Sequence, residues 1–168
     1  QNTMRDAMVA SVHFDSFHRH ADRLVMANIA QTVNVLQAVL LTDGDTLIKT
    51  PTYHVFEMNK GHHDAESLTV SWVGGPVPTR QVGRSVMPLV SGSASVKDGA
   101  ALVSLSNLDL EVSRTVRLDL RGRAVAAVEG RILAAGAVAD HNTAQAPETV
   151  TPAEFPVGAP VDGILEVE

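Results

Sequence analysis

The chain of 168 residues contains no cysteine. A disulfide scaffold is therefore excluded, and so is any thiolate metal site. The same absence favours cytosolic residence. Aromatic residues make up only 4%, so packing falls to Val, Leu, Ile and Ala. Positive charge is also scarce. Thirteen Lys and Arg face nineteen Asp and Glu, a formal net charge of -6. That balance opposes general attraction to nucleic acid or anionic lipid, and neither is expected as a partner. No apolar run approaches the roughly 20 residues of a membrane span. No secretory leader and no Asn-X-Ser/Thr acceptor is visible.

Apolar residues nevertheless reach 45%, enough for a packed core and too many for wholesale disorder. Both ends look cut. The chain begins at Gln1, and Gly163 to Glu168 alternate like a strand that stops without a turn. The sequence thus reads as a piece of something longer.

Residues 3 to about 21 predict a helix with Thr3 as N-cap and Met4, Ala7, Met8, Val12, Phe14, Phe17 and Ala21 at roughly helical spacing. Arg23 to Ile29 predicts a strand apolar on both faces, the kind found in parallel sheets covered on both sides. Val35 to Leu41 reads as extended. Thr42-Asp43-Gly44-Asp45 reads as a turn centred on Asp-Gly, with Leu47 and Ile48 beyond it. A second helix is expected from Pro51 to about Lys60, capped by Thr50 and stopped by Gly61.

From about residue 66 the style changes to short β-prone runs between Pro- and Gly-containing turns. Leu68–Val73, Ala101–Ser106, Val112–Leu120, Val125–Leu133 and Ile164–Val167 predict an antiparallel β-sandwich. One two-faced strand between two helices cannot cover itself. The first half therefore reads as the last α-β-α portion of a larger α/β fold.

Histidines offer the first candidate chemistry. His18 and His20 stand near Asp22, and His62 and His63 stand beside Asp64. On a helix, positions two apart point about 200° away from each other, so His18 and His20 cannot share a metal there. Cations at a helix end are the simpler reading, and no metal is expected. There is no Gly-X-Ser-X-Gly elbow, and Gly74-Gly75-Pro76 reads as a turn. Glu57 is expected on a solvated helix face.

The amides of Met26 to Gln37 say more. Asn28, Gln31, Asn34 and Gln37 recur every third residue in an apolar run. On one helix they would encircle it rather than form a polar face. If a strand ends near Asn28, Gln31 and Asn34 lie just beyond its C-terminal end, where β/α barrels carry their sites. Amides there can exchange hydrogen bonds with sugar hydroxyls, or can tie down the loop backbone.

Phe17-His18-Arg19-His20-Ala21-Asp22-Arg23, the run Met26 to Gln37, Leu41-Thr42-Asp43-Gly44 and Thr50 to Phe56 together resemble the C-terminal part of an α-L-arabinofuranosidase of glycoside hydrolase family 51. Ser106-Asn107-Leu108-Asp109, Ala139 to Thr143 and Ala146-Pro147-Glu148 extend the resemblance more loosely. It implies the end of a (β/α)8 barrel over residues 1–65, with Leu24 to Ile29 as the eighth strand. A jelly-roll β-sandwich would fill 66–168, cut short at its end. The implied activity is retaining, exo-acting removal of arabinofuranosyl units from arabinan, arabinoxylan and related oligosaccharides. The two catalytic glutamates would lie upstream of residue 1, so no catalytic residue is assigned and the chain alone is expected to be inactive. One pocket residue carries over: Gln31, matched to a family residue that hydrogen-bonds the sugar. The resemblance implies no cofactor, a cytoplasmic enzyme, and as partners the remainder of the barrel and further copies of itself in a homo-oligomer. The competing reading is a non-catalytic sandwich that binds carbohydrate or serves assembly.

Overall fold

The computed structural model describes residues 2–29, 32–74, 76–121 and 123–168. Helix α1 runs over Met4–Arg19, close to the expected span. The Asp6 carboxylate reaches back to the N–H (2.8 Å) and hydroxyl (3.0 Å) of Thr3, which fixes the entry of the chain. His18 and Arg19 place basic side chains at the negative end of the helix.

A hairpin follows, β1 (Leu40–Asp43) with β2 (Thr46–Lys49). Asp43 still pairs with Thr46, so the two-residue loop is Gly44–Asp45, one residue later than the turn expected at Asp43–Gly44. Gly44 takes φ 57, which a Cβ would disfavour. Helix α2 covers Pro51–Asn59. Its cap, Thr50, accepts from Tyr53 N (3.3 Å), and its hydroxyl donates to the carbonyls of Ala38 (3.0 Å) and Val39 (2.9 Å). One residue thus starts the helix and holds the loop before the hairpin.

Gly61 corrects its expected role. It lies inside a 3-10 turn, Lys60–His62, rather than in a left-handed cap. A Cβ there would sit 2.8 Å from Leu102 Cδ2. The glycine lets the Leu102 side chain pack directly against the turn.

The remaining strands are short and antiparallel. A three-stranded sheet has the order β3 (Glu66–Leu68), β6 (Val90–Lys97), β7 (Ala100–Asn107). Hairpin β4 (Thr79–Val82) with β5 (Ser85–Pro88) precedes β6. β8 (Val116–Asp119) pairs with β11 (Ile164–Val167), and β9 (Arg131–Leu133) with β10 (Pro152–Glu154). These small antiparallel sheets, with few helices, fit a β-sandwich domain. The buried apolar residues include Ala7, Val39, Ile48, Val55, Leu89, Val90, Leu108 and Val150.

Several expected strands are shorter or absent. Arg23 to Ile29 joins no ladder, and Leu24, Val25 and Met26 are exposed. The expected two-faced strand has neither edge partners nor cover among the described residues, and a two-faced strand needs both. Of Leu68–Val73 only Leu68 lies in a strand; Trp72 and Val73 are exposed. Val112–Leu120 shrinks to Val116–Asp119 because side chains occupy the backbone ahead of it. Asn107 Nδ2 donates to Val112 O (2.9 Å), and Glu111 N donates to Asp109 Oδ1 (3.2 Å). Such local bonds compete with a ladder. Val125–Leu133 shrinks to Arg131–Leu133, whose partner β10 is itself only three residues long.

Candidate functional site

Two regions carry concentrated polar chemistry: the loop between α1 and β1, and the seam between the helices and the three-stranded sheet.

Gln31, the one expected sugar contact, lies outside the described residues. The other amides of the run separate clearly. Asn28 and Gln37 are exposed. Asn34 takes the left-handed conformation, φ 55. Its Nδ2 donates to Thr42 Oγ1 and its Oδ1 accepts from Thr42 N, both at 2.8 Å. The Asn34 N–H donates to Leu40 O (3.1 Å). Upstream, Thr32 O accepts from Val39 N (3.1 Å) and Leu40 N (3.0 Å). The segment after residue 31 is therefore pinned to the first hairpin, and Asn34 is a loop-tying amide.

The seam was not anticipated. On α1, Ala7, Ser11, Asp15 and His18 follow one another at helical spacing of four, four and three, so they share a face. That face lies on β6 and β7. Strand β6 presents Ser91, Ser93 and Ser95 at alternate positions, and β7 places Ser106 and Ser104 opposite Ser91 and Ser93. Asp15 is 1% exposed. Its carboxyl accepts from Ser91 (2.6 Å) and Ser93 (2.9 Å). Ser93 has spent its proton on Asp15, so its oxygen accepts from His18 Nδ1 (2.8 Å). Ser11 and Ser106 share a further hydroxyl contact at 2.5 Å.

His62, from the 3-10 turn, closes the other half. Ser104 donates to Asn59 Oδ1 (3.2 Å) and therefore accepts from His62 Nε2–H (2.9 Å). His62 Nδ1 then accepts from the Ser95 hydroxyl (2.7 Å). The network thus assigns a neutral imidazole with both nitrogens satisfied. Burial pushes the His62 pKa down to about 4, and the neighbouring His18, with ring centroids 4.4 Å apart, pushes in the same direction. Burial also lowers His18, partly opposed by Asp15. The paired histidines divide: His18 and His62 enter the seam, whereas His20 and His63 are exposed. For His18 this corrects the reading as a simple surface helix end. Among the described residues, no three His, Asp or Glu side chains are grouped to hold a metal ion. A period-two serine pattern, Ser91-x-Ser93-x-Ser95 and Ser104-x-Ser106, was the available sequence signal for this seam.

Other acidic groups are held by arginines. Glu57 forms a two-pronged pair with Arg131 (3.1 and 2.9 Å), and that hydrogen bonding lowers its pKa. Its solvated-face reading is thereby refined to an exposed ion pair. The Arg114 guanidinium beside Asp109 is the main reason that carboxyl sits below its usual range, and Arg80 lies near it at 3.6 Å. Arg117 and Glu166 pair across β8 and β11 at 2.9 Å, beside an open cleft of about 610 Å³ that they line with Val161 and Ile164. Asn142 fastens the C-terminal segment to the hairpin. Its Nδ2 donates to Lys49 O (2.8 Å) and Val150 O (2.9 Å), and its Oδ1 accepts from Val150 N (2.7 Å).

Comparison with known proteins adds family context. Residues 1–168 match the family described as alpha-L-arabinofuranosidase C-terminal domain. An intracellular exo-alpha-L-arabinofuranosidase of Bacteroides ovatus is 42% identical over 156 residues, covering 92% of this chain and 30% of the relative. The crystal structure of a GH51 arabinofuranosidase from Xanthomonas axonopodis pv. citri is similar with a TM-score of 0.91 at 45% identity, covering 99% of this chain and 34% of the other. A family 51 alpha-L-arabinofuranosidase from Bifidobacterium longum gives a TM-score of 0.83 at 25% identity over 98% of this chain and 32% of its own. The chain spans about a third of the length of each relative.

Proposed function

The chain belongs to the α-L-arabinofuranosidase C-terminal domain family, matched over residues 1–168, and from that premise we propose that it is the C-terminal region of a retaining, exo-acting GH51 α-L-arabinofuranosidase. The substrates would be terminal arabinofuranosyl units of arabinan, arabinoxylan and related oligosaccharides. In this reading residues 1–65 are the end of a (β/α)8 barrel and 66–168 a jelly-roll sandwich. Helix α1 precedes the eighth strand, Leu24 to Ile29 is that strand, and α2 closes the barrel.

The observation that carries the reading is the state of Leu24 to Ile29. Val25 is 98% exposed and Met26 72%, although the segment is apolar on both faces. Contiguous exposed apolar surface marks a contact site. A barrel strand whose neighbours belong to the rest of the polypeptide has this signature. The Bacteroides ovatus relative is an intracellular exo enzyme, which supports exo action and cytoplasmic residence.

Retention of configuration uses two carboxyls about 5 Å apart, one as nucleophile and one as acid/base. Both are assigned to the upstream barrel. Glu57, an exposed carboxylate paired with Arg131 and kept ionised by it, is assigned neither role. This chain would contribute the neutral amide of Gln31, which can bond sugar hydroxyls without adding charge.

Turnover of an aryl arabinofuranoside tests the proposal. The complete polypeptide should hydrolyse it with retention, and the 168-residue chain alone should not. Turnover by the chain alone would refute the assignment of both carboxyls upstream. In the complete enzyme, Gln31→Ala should cost roughly 1–3 kcal/mol of transition-state binding. The competing reading, a sandwich that binds carbohydrate by itself, draws on Trp72, 43% exposed. Saturable binding of arabino-oligosaccharides by residues 66–168 would favour it.

A further inference from the structure

We propose that the cleft beside β8 and β11 is a binding site for a neutral oligosaccharide, beyond the catalytic role proposed above and independent of it. The two-stranded ribbon along the cleft sorts its side chains by the pleat. Leu165 stands opposite Leu118 and is buried. Glu166 stands opposite Arg117, and both line the cleft together with Ile164. The chain enters β11 through a two-residue turn, Asp162–Gly163, at φ 50 and 77. Across that turn Val161 and Ile164 exchange both backbone hydrogen bonds at 2.9 Å, which sets their side chains next to each other. Gly158 lines the cleft without a side chain, and the opening of about 610 Å³ is of the size that takes small organic ligands.

The polar groups of the cleft suit hydroxyls better than ions. Arg117 meets Glu166 through one hydrogen bond, from Nε to Oε2 at 2.9 Å. Among the described residues nothing else bonds the Arg117 Nη groups or Glu166 Oε1. Donors and an acceptor thus stand side by side in a pair whose formal charges cancel. A sugar hydroxyl both donates and accepts, so adjacent hydroxyls can give to Oε1 and take from Nη. Val161, 71% exposed, adds apolar surface for the C–H face of a sugar ring. Asp162 adds negative charge to the lining, which opposes a phosphate or carboxylate ligand. No described aromatic side chain lines the cleft, so it offers nothing for a planar base to stack on.

Titration of the 168-residue chain with arabinotriose, followed by NMR shifts of the backbone amides and of Arg117 Nε–H, tests the inference. The shifts should saturate with a Kd on the order of 1 mM, as a few exposed hydrogen bonds allow, and should centre on Gly158, Asp162, Ile164 and Glu166. A Cβ built on Gly158 meets nothing within 4 Å, so Gly158→Leu fills open space without a clash. It should weaken binding about tenfold. Arg117→Met keeps an exposed side chain of similar length and removes its donors. It should weaken binding about fivefold, and it serves if Gly158→Leu fails to fold. Trp72→Ala should leave the titration unchanged. The absence of saturable shifts would overturn the inference, as would wild-type affinity in both cleft variants. So would binding that is lost in Trp72→Ala and kept in Gly158→Leu, which would place the sugar at Trp72. Saturation of the same residues by inorganic phosphate in place of the sugar would make the cleft an anion site and overturn it too. Turnover by the complete polypeptide is a separate readout: its absence beside binding in the cleft would remove the proposed function and leave this site standing.

Discussion

The seam and the segment Leu24 to Ile29 are opposites within a few residues of chain. In the seam, polar side chains are buried or half-buried: Asp15, His18, His62 and six serines satisfy one another between α1, the 3-10 turn and the sheet. In the segment, apolar side chains are exposed, and Val25 points almost wholly into solvent. Composition alone predicts the reverse. The seam is closed because each donor has found an acceptor inside the chain. The segment is open because no described residue covers it. Polarity is thus a weaker guide to burial than the availability of partners.

The largest contrast is expected from Val25→Asp. In this chain alone the position is exposed, and unfolding in urea should change by no more than about 0.5 kcal/mol. If the segment is the proposed barrel strand, the same change in the complete polypeptide buries an unpaired carboxylate, costing about 4 kcal/mol or preventing folding. Equal small effects in both settings would show that the segment remains uncovered, which breaks the comparison from the apolar side.

Asp15→Ala attacks it from the polar side. The change strips an acceptor from Ser91 and Ser93 and leaves their buried hydroxyls to find new partners. A loss of about 3 kcal/mol is expected in urea unfolding. A near-neutral result would mean that water enters the seam freely.

The seam should also fail in acid. His62 has its pKa lowered to about 4, by burial first and by His18 second. His18 is lowered as well, by burial, with Asp15 opposing. The folded state thus binds fewer protons than the unfolded chain between the unfolded histidine pKa, near 6.5, and about 4. Stability is fully present above pH 6.5 and declines as pH falls through that window. After allowance for solvent screening the decline from His62 is about 2 kcal/mol. His62→Gln should flatten the difference. Identical pH profiles for parent and variant, measured by urea midpoints between pH 7 and 4, would remove His62 as the cause.

How much of this was legible depends on whether the determining interaction was local. Thr3 and Asp6, Thr50 and Pro51, and Gly44 act on backbone a few residues away, and both helices and the first hairpin were legible within a few residues. The seam joins positions 33 to 95 residues apart, as in Asp15 with Ser91 and Ser93, so the period-two serines show a strand face but not the partners it meets. Strand β6 was missed for a related reason. Val-Ser-Gly-Ser-Ala-Ser has few β-branched residues, and its stability comes from the partners on either side. The motif residues Asn107, Asp109 and Asn142 were visible as resemblance, but their roles as backbone fasteners emerged only with their partners in place. Asn34 was legible as an amide in a loop, and its geometry decides for the loop-tying role.

The smallest expected effect concerns the ion pair that joins α2 to β9. Glu57 and Arg131 meet through two hydrogen bonds, yet both side chains are 40–50% exposed. A pair in that setting loses much of its attraction to screening and orders two long side chains. Glu57→Gln should therefore change stability by no more than about 0.5 kcal/mol, less still at high salt. The seam differs because Asp15, His62, Ser91, Ser93 and Ser95 are buried away from bulk solvent. If Glu57→Gln cost as much as Asp15→Ala in the same urea titration, burial would not be what separates them. The difference between the closed seam and the open surface would then have to be sought in the rigidity of the elements rather than in their access to water.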